Sequence, residues 1–113
     1  MKKLPTRFQD FSSRYPACAG AYEALAGASR KVAGYAPREA ELIKLALAIG
    51  ARLEGAAHSH ARRALAAGVS PDELRGVALL AITTCGFPQA MIGLSWVEDV
   101  LAAKPSARRS RRR

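Results

Sequence analysis

The sequence is poor in cysteine and in aromatic residues, and it has no long apolar run. Among its 113 residues only Cys18 and Cys85 are cysteines, and aromatic residues make up 6%. No apolar segment approaches the roughly 18 residues of a membrane span, and the start, MKKLPTRFQD, lacks the apolar segment of a signal peptide. We therefore expect a cytoplasmic protein without a membrane span, in which two distant thiols do not form a structural disulfide.

Small side chains take the place of the missing aromatic ones. Hydrophobic residues reach 50% of the sequence, and many of them are alanines. A core of alanines lets helices approach closely but buries little apolar area, and burial is worth roughly 25 cal/mol per Å². We expect one domain, over residues 1–105, and a thin core that favours a homo-oligomer as a source of further burial.

Positive charge is concentrated at the end of the sequence. The net charge is +9, and residues 108–113 hold five arginines; removing these from the 18 basic residues leaves 13 against nine acidic ones, or +4. The segment 106–113, SARRSRRR, is predicted to be a disordered arginine-rich tail. Weak, non-specific binding of polyanions stays open for this tail, but no aromatic residue interleaves the arginines to stack on bases.

Proline and glycine divide the rest of the chain into about six predicted helices. Prolines are predicted to mark helix starts, at Pro16, Pro37, Pro71 and Pro88, and glycines to mark helix ends, at Gly34, Gly68 and Gly86. Ser70 and Glu73 have the spacing of a capping box. The helix that follows is expected to run from Pro71 to about Cys85, with Val77, Leu80, Ala81 and Thr84 facing inward. No strand pattern is present, so the prediction is a compact all-α bundle.

The most apolar stretch, residues 41–68, contains both histidines. The helix after Glu41 is apolar on most sides, and Lys44 is the residue expected to reach solvent. A carboxylate and an imidazole beside such a core are costly to desolvate unless they are paired. His60 shares a helix face with alanines, whereas His58 lies on another face, four residues from both Glu54 and Arg62. If they meet, Glu41 and His60 form the candidate site, and a supporting role for His58 stays open.

Two histidines also raise the question of a metal site. His58 and His60 are two residues apart, so on a helix their rings point about 200° apart, whereas helical zinc pairs are spaced i, i+4. No cysteine is near, and Glu54 is the only close acid in sequence. We predict no metal and no cofactor, and we expect His58 near the surface or at a subunit interface.

The motifs around these residues resemble the carboxymuconolactone decarboxylase family, which includes the alkyl hydroperoxidase D type. The matching segments are ELIKLA at residues 41–46, HARRA at 60–64, GVS at 68–70, DEL at 72–74 and GFP at 86–88. The similarity extends over about residues 35–103. The resemblance implies an alkyl hydroperoxidase D-like helical subunit that assembles into symmetric dimers, trimers or hexamers.

The chain departs from the peroxidase members of that family at two positions. Those members use a C-x-x-C pair followed by a histidine, and in this sequence the two cysteine positions hold Leu53 and Ala56. Neither side chain forms a thiolate, so the disulfide cycle that reduces peroxides cannot run there. Cys85 is not placed to substitute and is expected to be a small core residue. Peroxiredoxin-type antioxidant activity is therefore disfavoured.

The resemblance leaves Glu41 and His60 as the predicted catalytic pair. In the decarboxylase branch of the family, a histidine occupies the position of His60, and the reaction, on an acidic lactone, needs no metal, cofactor or cysteine. This favours acid/base chemistry of the lyase type on a small organic acid, or binding of such an acid. A non-enzymatic homo-oligomeric scaffold or metabolite-binding protein, with a purely structural pair, stays open, as does polyanion binding through the tail.

Overall fold

The computed structural model describes residues 6–103, which are almost entirely helical. The helices are α1 (Thr6–Arg14), α2 (Pro16–Ala33), α3 (Pro37–Gly50), α4 (Glu54–Ala66), α5 (Pro71–Leu80), α6 (Ile82–Cys85) and α7 (Phe87–Ala103). The described residues contain no strand, and the predicted all-α fold is confirmed. The predicted disordered tail, residues 106–113, lies outside the described residues. Between residues 6 and 103, no helix has both the length and the apolarity needed to cross a membrane.

The chain divides into two compact units, Met1–Tyr35 and Ala36–Arg113. The first unit contains α1 and α2. Pro16 opens α2 as predicted, and Gly34 ends it at a φ of 76°, a left-handed conformation that glycine adopts without a Cβ clash. Most of the α2 side chains are exposed. One domain over residues 1–105 stays a prediction.

The second unit holds a core built largely from alanine. The face of α4 toward this core consists of Ala57, Ala61 and Ala64, all fully buried. Because these side chains end at Cβ, α3 and α7 can both pack closely on α4. The largest fully buried side chains fill the space around them: Leu45 and Ile49 of α3, Leu74 of α5 and Val97 of α7.

Helix α3 is buried on one side only. Leu45 and Ile49 face the core, but Leu47 is 65% exposed and Ile43 is 39% exposed. The expectation that Lys44 alone would reach out of this helix is therefore wrong for the single chain. The helices that pack on α3 within its unit, α4, α5 and α7, cover the Leu45 face, and an apolar stripe is left on the opposite side.

The capping box at the start of α5 is confirmed. The Glu73 backbone N–H donates to Ser70 Oγ, and the Ser70 backbone N–H donates to the Glu73 carboxylate at 2.9 Å. The helix does not continue to Cys85 as predicted, because Ala81 interrupts it. There the Ala81 N–H bonds Ala78 O, three residues back, and a short separate helix follows.

The inward face of α5 was predicted only in part. Leu74, Ala78 and the predicted Ala81 are buried, whereas Leu80 is 77% exposed and Thr84 is also exposed. Both stripes have helical spacing, so periodicity alone does not choose between them. The buried stripe contains two alanines, whose small side chains fit the close approach of α5 and α7. Leucines remain on the surface.

Candidate functional site

A tight turn brings α3 and α4 together as an antiparallel hairpin. After α3 ends at Gly50, the Leu53 N–H donates to Ala48 O and the Arg52 N–H donates to Ile49 O. This pattern is a Schellman motif, and it places Arg52 in the left-handed region at a φ of 63°. Helix α4 starts directly after it, so the polypeptide reverses within three residues.

Glu41 and His60 meet across this hairpin. His60 Nδ1 lies 2.7 Å from Glu41 Oε1. The Glu41 side chain is 7% exposed and the His60 side chain 15% exposed, so the contact is largely shielded from water. The predicted proximity of the two residues is thus observed. When Glu41 is ionised, its carboxylate only accepts hydrogen bonds, so Nδ1 carries the hydrogen and Nε2 of the neutral ring has the free lone pair.

The glutamate contact is the one hydrogen bond that the described part of the chain gives His60. Nε2 is therefore left for a ligand or for water. Because His60 is held by α4 and Glu41 by α3, the ring orientation depends on the packing of two helices rather than on a loop. That arrangement suits a group whose proton has to be delivered in a fixed direction.

The positions that match the family's cysteines are at the start of α4. Leu53 precedes the first residue of this helix and is 53% exposed, and Ala56 is partly buried in the first turn. Both side chains consist of carbon and hydrogen only, so neither supplies a thiol.

Cys85 is exposed, so its expected place in the core is wrong. It lies at the end of α6, where a Cβ on Gly50 would be 3.6 Å from its Sγ. Helix α6 is only four residues long and has no buried residue. Cys18, in the first unit, is also exposed.

Two pockets open on the second unit. One, of about 600 Å³, is lined by polar residues His58, Arg62 and Asp99 and by apolar Leu65, Ala66, Val100 and Ala103. The other, of about 770 Å³, lies between α3 and the α5–α6 segment and is almost wholly apolar; Leu42, Ile49, Val77 and Leu80 are among its lining residues. Leu42 follows Glu41 in sequence, but the lining of these two pockets does not include Glu41 or His60.

A second cluster of ionisable side chains lies around His58. Its Nε2 lies 3.1 Å from Asp99 Oδ2, and Glu54 stands one turn earlier on α4. One ligand atom from each of these three residues lies within 4.8 Å of the other two. His58 is near the surface as expected, with 24% of its side chain exposed.

Asp99 was not predicted from the sequence to belong to this cluster. The prediction rested on His58 and His60, whose spacing does not allow both to bind one metal ion. The i, i+4 spacing of Glu54 and His58 was the available signal, because it places both side chains on one face of α4. Asp99 is far away in sequence, and its position depends on how α7 packs on α4.

Ion pairs connect the helices of the second unit outside these two clusters. Arg38 of α3 pairs with Glu73 of α5, and Arg75 Nε lies 2.7 Å from Glu98 Oε2 of α7. The pKa of Glu73 is lowered, first by the hydrogen bond from the Ser70 backbone N–H and then by Arg38. The Arg75 guanidinium likewise lowers the pKa of Glu98. These groups lie at the surface, and each pair joins two helices.

Comparison with known protein families identifies one match. The model of the carboxymuconolactone decarboxylase family matches residues 16–99, from the start of α2 to Asp99 on α7. No significant match was found among curated proteins or among solved structures. The family match spans most of the sequence and includes the hairpin that carries Glu41 and His60. The chain belongs to the carboxymuconolactone decarboxylase family.

Proposed function

We propose that the Glu41–His60 pair performs acid/base chemistry on a small organic acid, without cofactor, metal or cysteine. The observation that carries this proposal is the 2.7 Å contact between His60 Nδ1 and Glu41 Oε1 in a site largely shielded from water. Membership of the family favours a lyase-type reaction, the decarboxylation of a carboxylated lactone. Binding of such an acid is the first step of this function.

Each residue of the pair has a distinct role in the proposal. Glu41 holds the imidazole in place: it accepts the Nδ1 hydrogen and thereby fixes the tautomer of the ring. His60 Nε2 faces the reacting molecule. When CO2 leaves a carboxylated lactone, the electron pair of the broken C–C bond remains on the substrate, and a proton has to be delivered to it. His60 is the group that donates this proton and recovers it from water afterwards.

The test measures CO2 release from carboxymuconolactone by the wild-type protein and by two variants. We expect His60→Ala to lower kcat/KM by roughly 10²–10⁴-fold, the usual range for removing a general acid or base. Glu41→Gln should also lower it, because an amide can present its N–H to the ring and select the wrong tautomer. Glu39→Gln and Arg63→Ala are matched controls, an exposed carboxylate of α3 and an exposed residue of α4.

Three outcomes decide the matter. Turnover in the wild type that is lost in His60→Ala and kept in both controls supports the proposal. Turnover that survives His60→Ala contradicts it. Absence of turnover with a panel of carboxylated lactones and other small organic acids contradicts the catalytic role of the pair and leaves the second candidate below.

The second candidate is a metabolite-binding or scaffold protein with a purely structural pair. It is favoured by the pocket linings, since the two pockets are bordered by residues other than Glu41 and His60. In that case His60→Ala removes a hydrogen-bond partner from buried Glu41 and should cost about 1–3 kcal/mol of unfolding free energy. If instead the site is roomy and catalytic, the same change should cost little, because water replaces the ring. Urea denaturation measures the difference.

The peroxidase reaction of other family members finds no support. Leu53 and Ala56 stand where that reaction needs two thiols, and neither is redox-active. Polyanion binding by residues 106–113 rests on charge alone. Both are therefore secondary to the acid/base proposal.

A further inference from the structure

We propose that Glu54, His58 and Asp99 form a binding site for a divalent transition-metal ion such as Zn²⁺. This site is separate from the Glu41–His60 pair and independent of the function proposed for it. It contains His58, which is not part of that pair, and it lies at the pocket of about 600 Å³ between α4 and α7.

The distances are close to those of a coordination sphere. Zinc bonds of about 2.0–2.1 Å at a tetrahedral angle separate neighbouring ligand atoms by roughly 3.4 Å. His58 Nε2 and Asp99 Oδ2 are 3.1 Å apart, and the three ligand atoms all lie within 4.8 Å of one another. The remaining adjustment is small and falls on the carboxylates, because the Glu54 side chain is exposed and 59% of the Asp99 side chain is exposed. A change of side-chain rotamer closes the set without moving the backbone.

The scaffold that holds the three ligands is rigid. Glu54 and His58 are one helical turn apart on α4, so their side chains emerge from the same face. Asp99 is brought to that face because α7 packs on α4, with Ala57 and Ala61 fully buried at the contact side and Val97 fully buried on α7. The geometry of the cluster is therefore set by core packing rather than by the side chains themselves.

The donor set selects a class of ion. One imidazole nitrogen and two carboxylate oxygens suit Zn²⁺, Mn²⁺ or Fe²⁺, whereas Mg²⁺ and Ca²⁺ prefer oxygen alone. The set contains no thiolate, which argues against Cu(I). Three protein ligands also leave at least one coordination position free. The adjoining pocket also contains Arg62, whose positive charge suits an anionic ligand in that position.

A simple ion pair between His58 and Asp99 is the competing interpretation. In that contact His58 Nε2 carries a hydrogen that it donates to Asp99, whereas a metal ligand must carry none at Nε2. An ion pair also gives no role to Glu54. The two interpretations therefore differ in the number of residues that matter and in the response to added metal.

The experiment uses the full chain with Cys18→Ser and Cys85→Ser, so that no thiol competes for metal. The tag-free protein is stripped with a chelator and titrated with ZnCl2 by calorimetry. We expect one ion per chain with micromolar or tighter affinity and a higher Tm in the presence of Zn²⁺, since the ion links α4 to α7. Co²⁺ in place of Zn²⁺ should give visible absorption bands of a nitrogen- and oxygen-ligated ion.

Single substitutions assign the ligands. His58→Ala, Asp99→Asn and Glu54→Gln should each weaken Zn²⁺ binding by at least about tenfold. His60→Gln, which changes the other histidine, and Glu98→Gln, which changes the acid next to Asp99, should leave binding intact. MgCl2 should not compete at a hundredfold excess over ZnCl2.

The proposal is overturned if the stripped protein binds no Zn²⁺ at micromolar concentration. It is also overturned if binding is unchanged in both His58→Ala and Asp99→Asn, or if it is lost in His60→Gln and retained in His58→Ala. Circular dichroism of each variant confirms that it is folded before its affinity is compared.

Discussion

Gly93 of α7 lies directly against Ile49 of α3. A Cβ atom added there would lie 2.6 Å from Cγ2 of Ile49 and 3.1 Å from its Cδ1. Ile49 is 1% exposed and branched at Cβ, so it has neither the space nor the freedom to turn away. The close contact of α3 and α7 thus depends on glycine having no side chain, just as the close packing on α4 depends on the small side chains of its alanines.

Gly93→Ala is therefore expected to destabilise the protein, although alanine is the better helix former. Overpacking at a filled site costs about 1–3 kcal/mol, more than the roughly 1 kcal/mol gained from helix propensity. Gly20→Ala, in the middle of α2 with no atom within 4 Å of the added Cβ, is the control and should be neutral or stabilising. Urea unfolding measures both, and a Gly93→Ala variant as stable as the wild type would contradict the close approach of Ile49 to this position.

The candidate pair shows how far single residues were predictable. Glu41 and His60 could be singled out because ionisable side chains beside an apolar stretch need partners. Their pairing with each other was expected from the family resemblance, and the contact at 2.7 Å agrees with it. Asp99 could not be selected in the same way. Its relation to His58 is created by the crossing of α4 and α7, and a crossing is a property of packing rather than of local sequence.

For single helices, interactions between residues close in sequence were predicted more reliably than packing between helices. The capping box of Ser70 and Glu73 acts within four residues and forms as predicted. The buried face of α5 and the exposed stripe of α3 were misjudged, because their neighbours decide which of two apolar stripes is covered. Ala81 also interrupts α5 where the sequence suggests an unbroken helix.

The capping residue Glu73 makes the stability of α5 depend on pH. Its pKa in the folded protein is lowered by the Ser70 backbone N–H and by Arg38. A lowered pKa stabilises the fold at pH values above the unfolded pKa, about 4.3 for glutamate. The contribution is lost as the pH falls through the lower, folded pKa, because both states then bind the proton.

We therefore expect Glu73→Gln to lower the Tm at pH 7 and to lose this effect under acid conditions. The difference in Tm from the wild type should shrink as the pH falls below about 4.3. The effect is modest because the side chain is exposed and screened by solvent. Glu23→Gln, an exposed glutamate of α2, is the control. Thermal unfolding between pH 3 and pH 7 measures the trend, and a constant difference across this range would contradict the assignment.

For the whole molecule, the helical class and the family were readable from the sequence. Prolines and glycines at the predicted boundaries recur at most of the observed helix ends, and the family motifs lie on the α3–α4 hairpin and on α5. The sequence did not predict how much apolar surface a single chain leaves exposed to solvent. Leu47, Leu79 and Leu80 are between 50% and 77% exposed.

The last prediction follows from that exposed surface. Leu79 and Leu80, together with Ile43, border the apolar groove of about 770 Å³ between α3 and the α5–α6 segment. Leaving such a surface in water forfeits roughly 25 cal/mol for each Å² that a partner would cover, and contiguous apolar patches commonly mark protein interfaces. We therefore expect a homo-oligomer in which the groove is covered by a second copy.

Leu80→Lys should weaken this assembly, because it buries an ammonium group at the interface without an opposite charge to pair with it. Val32→Lys, at an apolar side chain of α2 that is 88% exposed and lies outside the groove, should leave the assembly state unchanged. Light scattering after size-exclusion chromatography, over a range of micromolar concentrations, measures both variants against the wild type. A wild-type monomer throughout this range, or an oligomer that Leu80→Lys does not disturb, would show that the groove is not the interface.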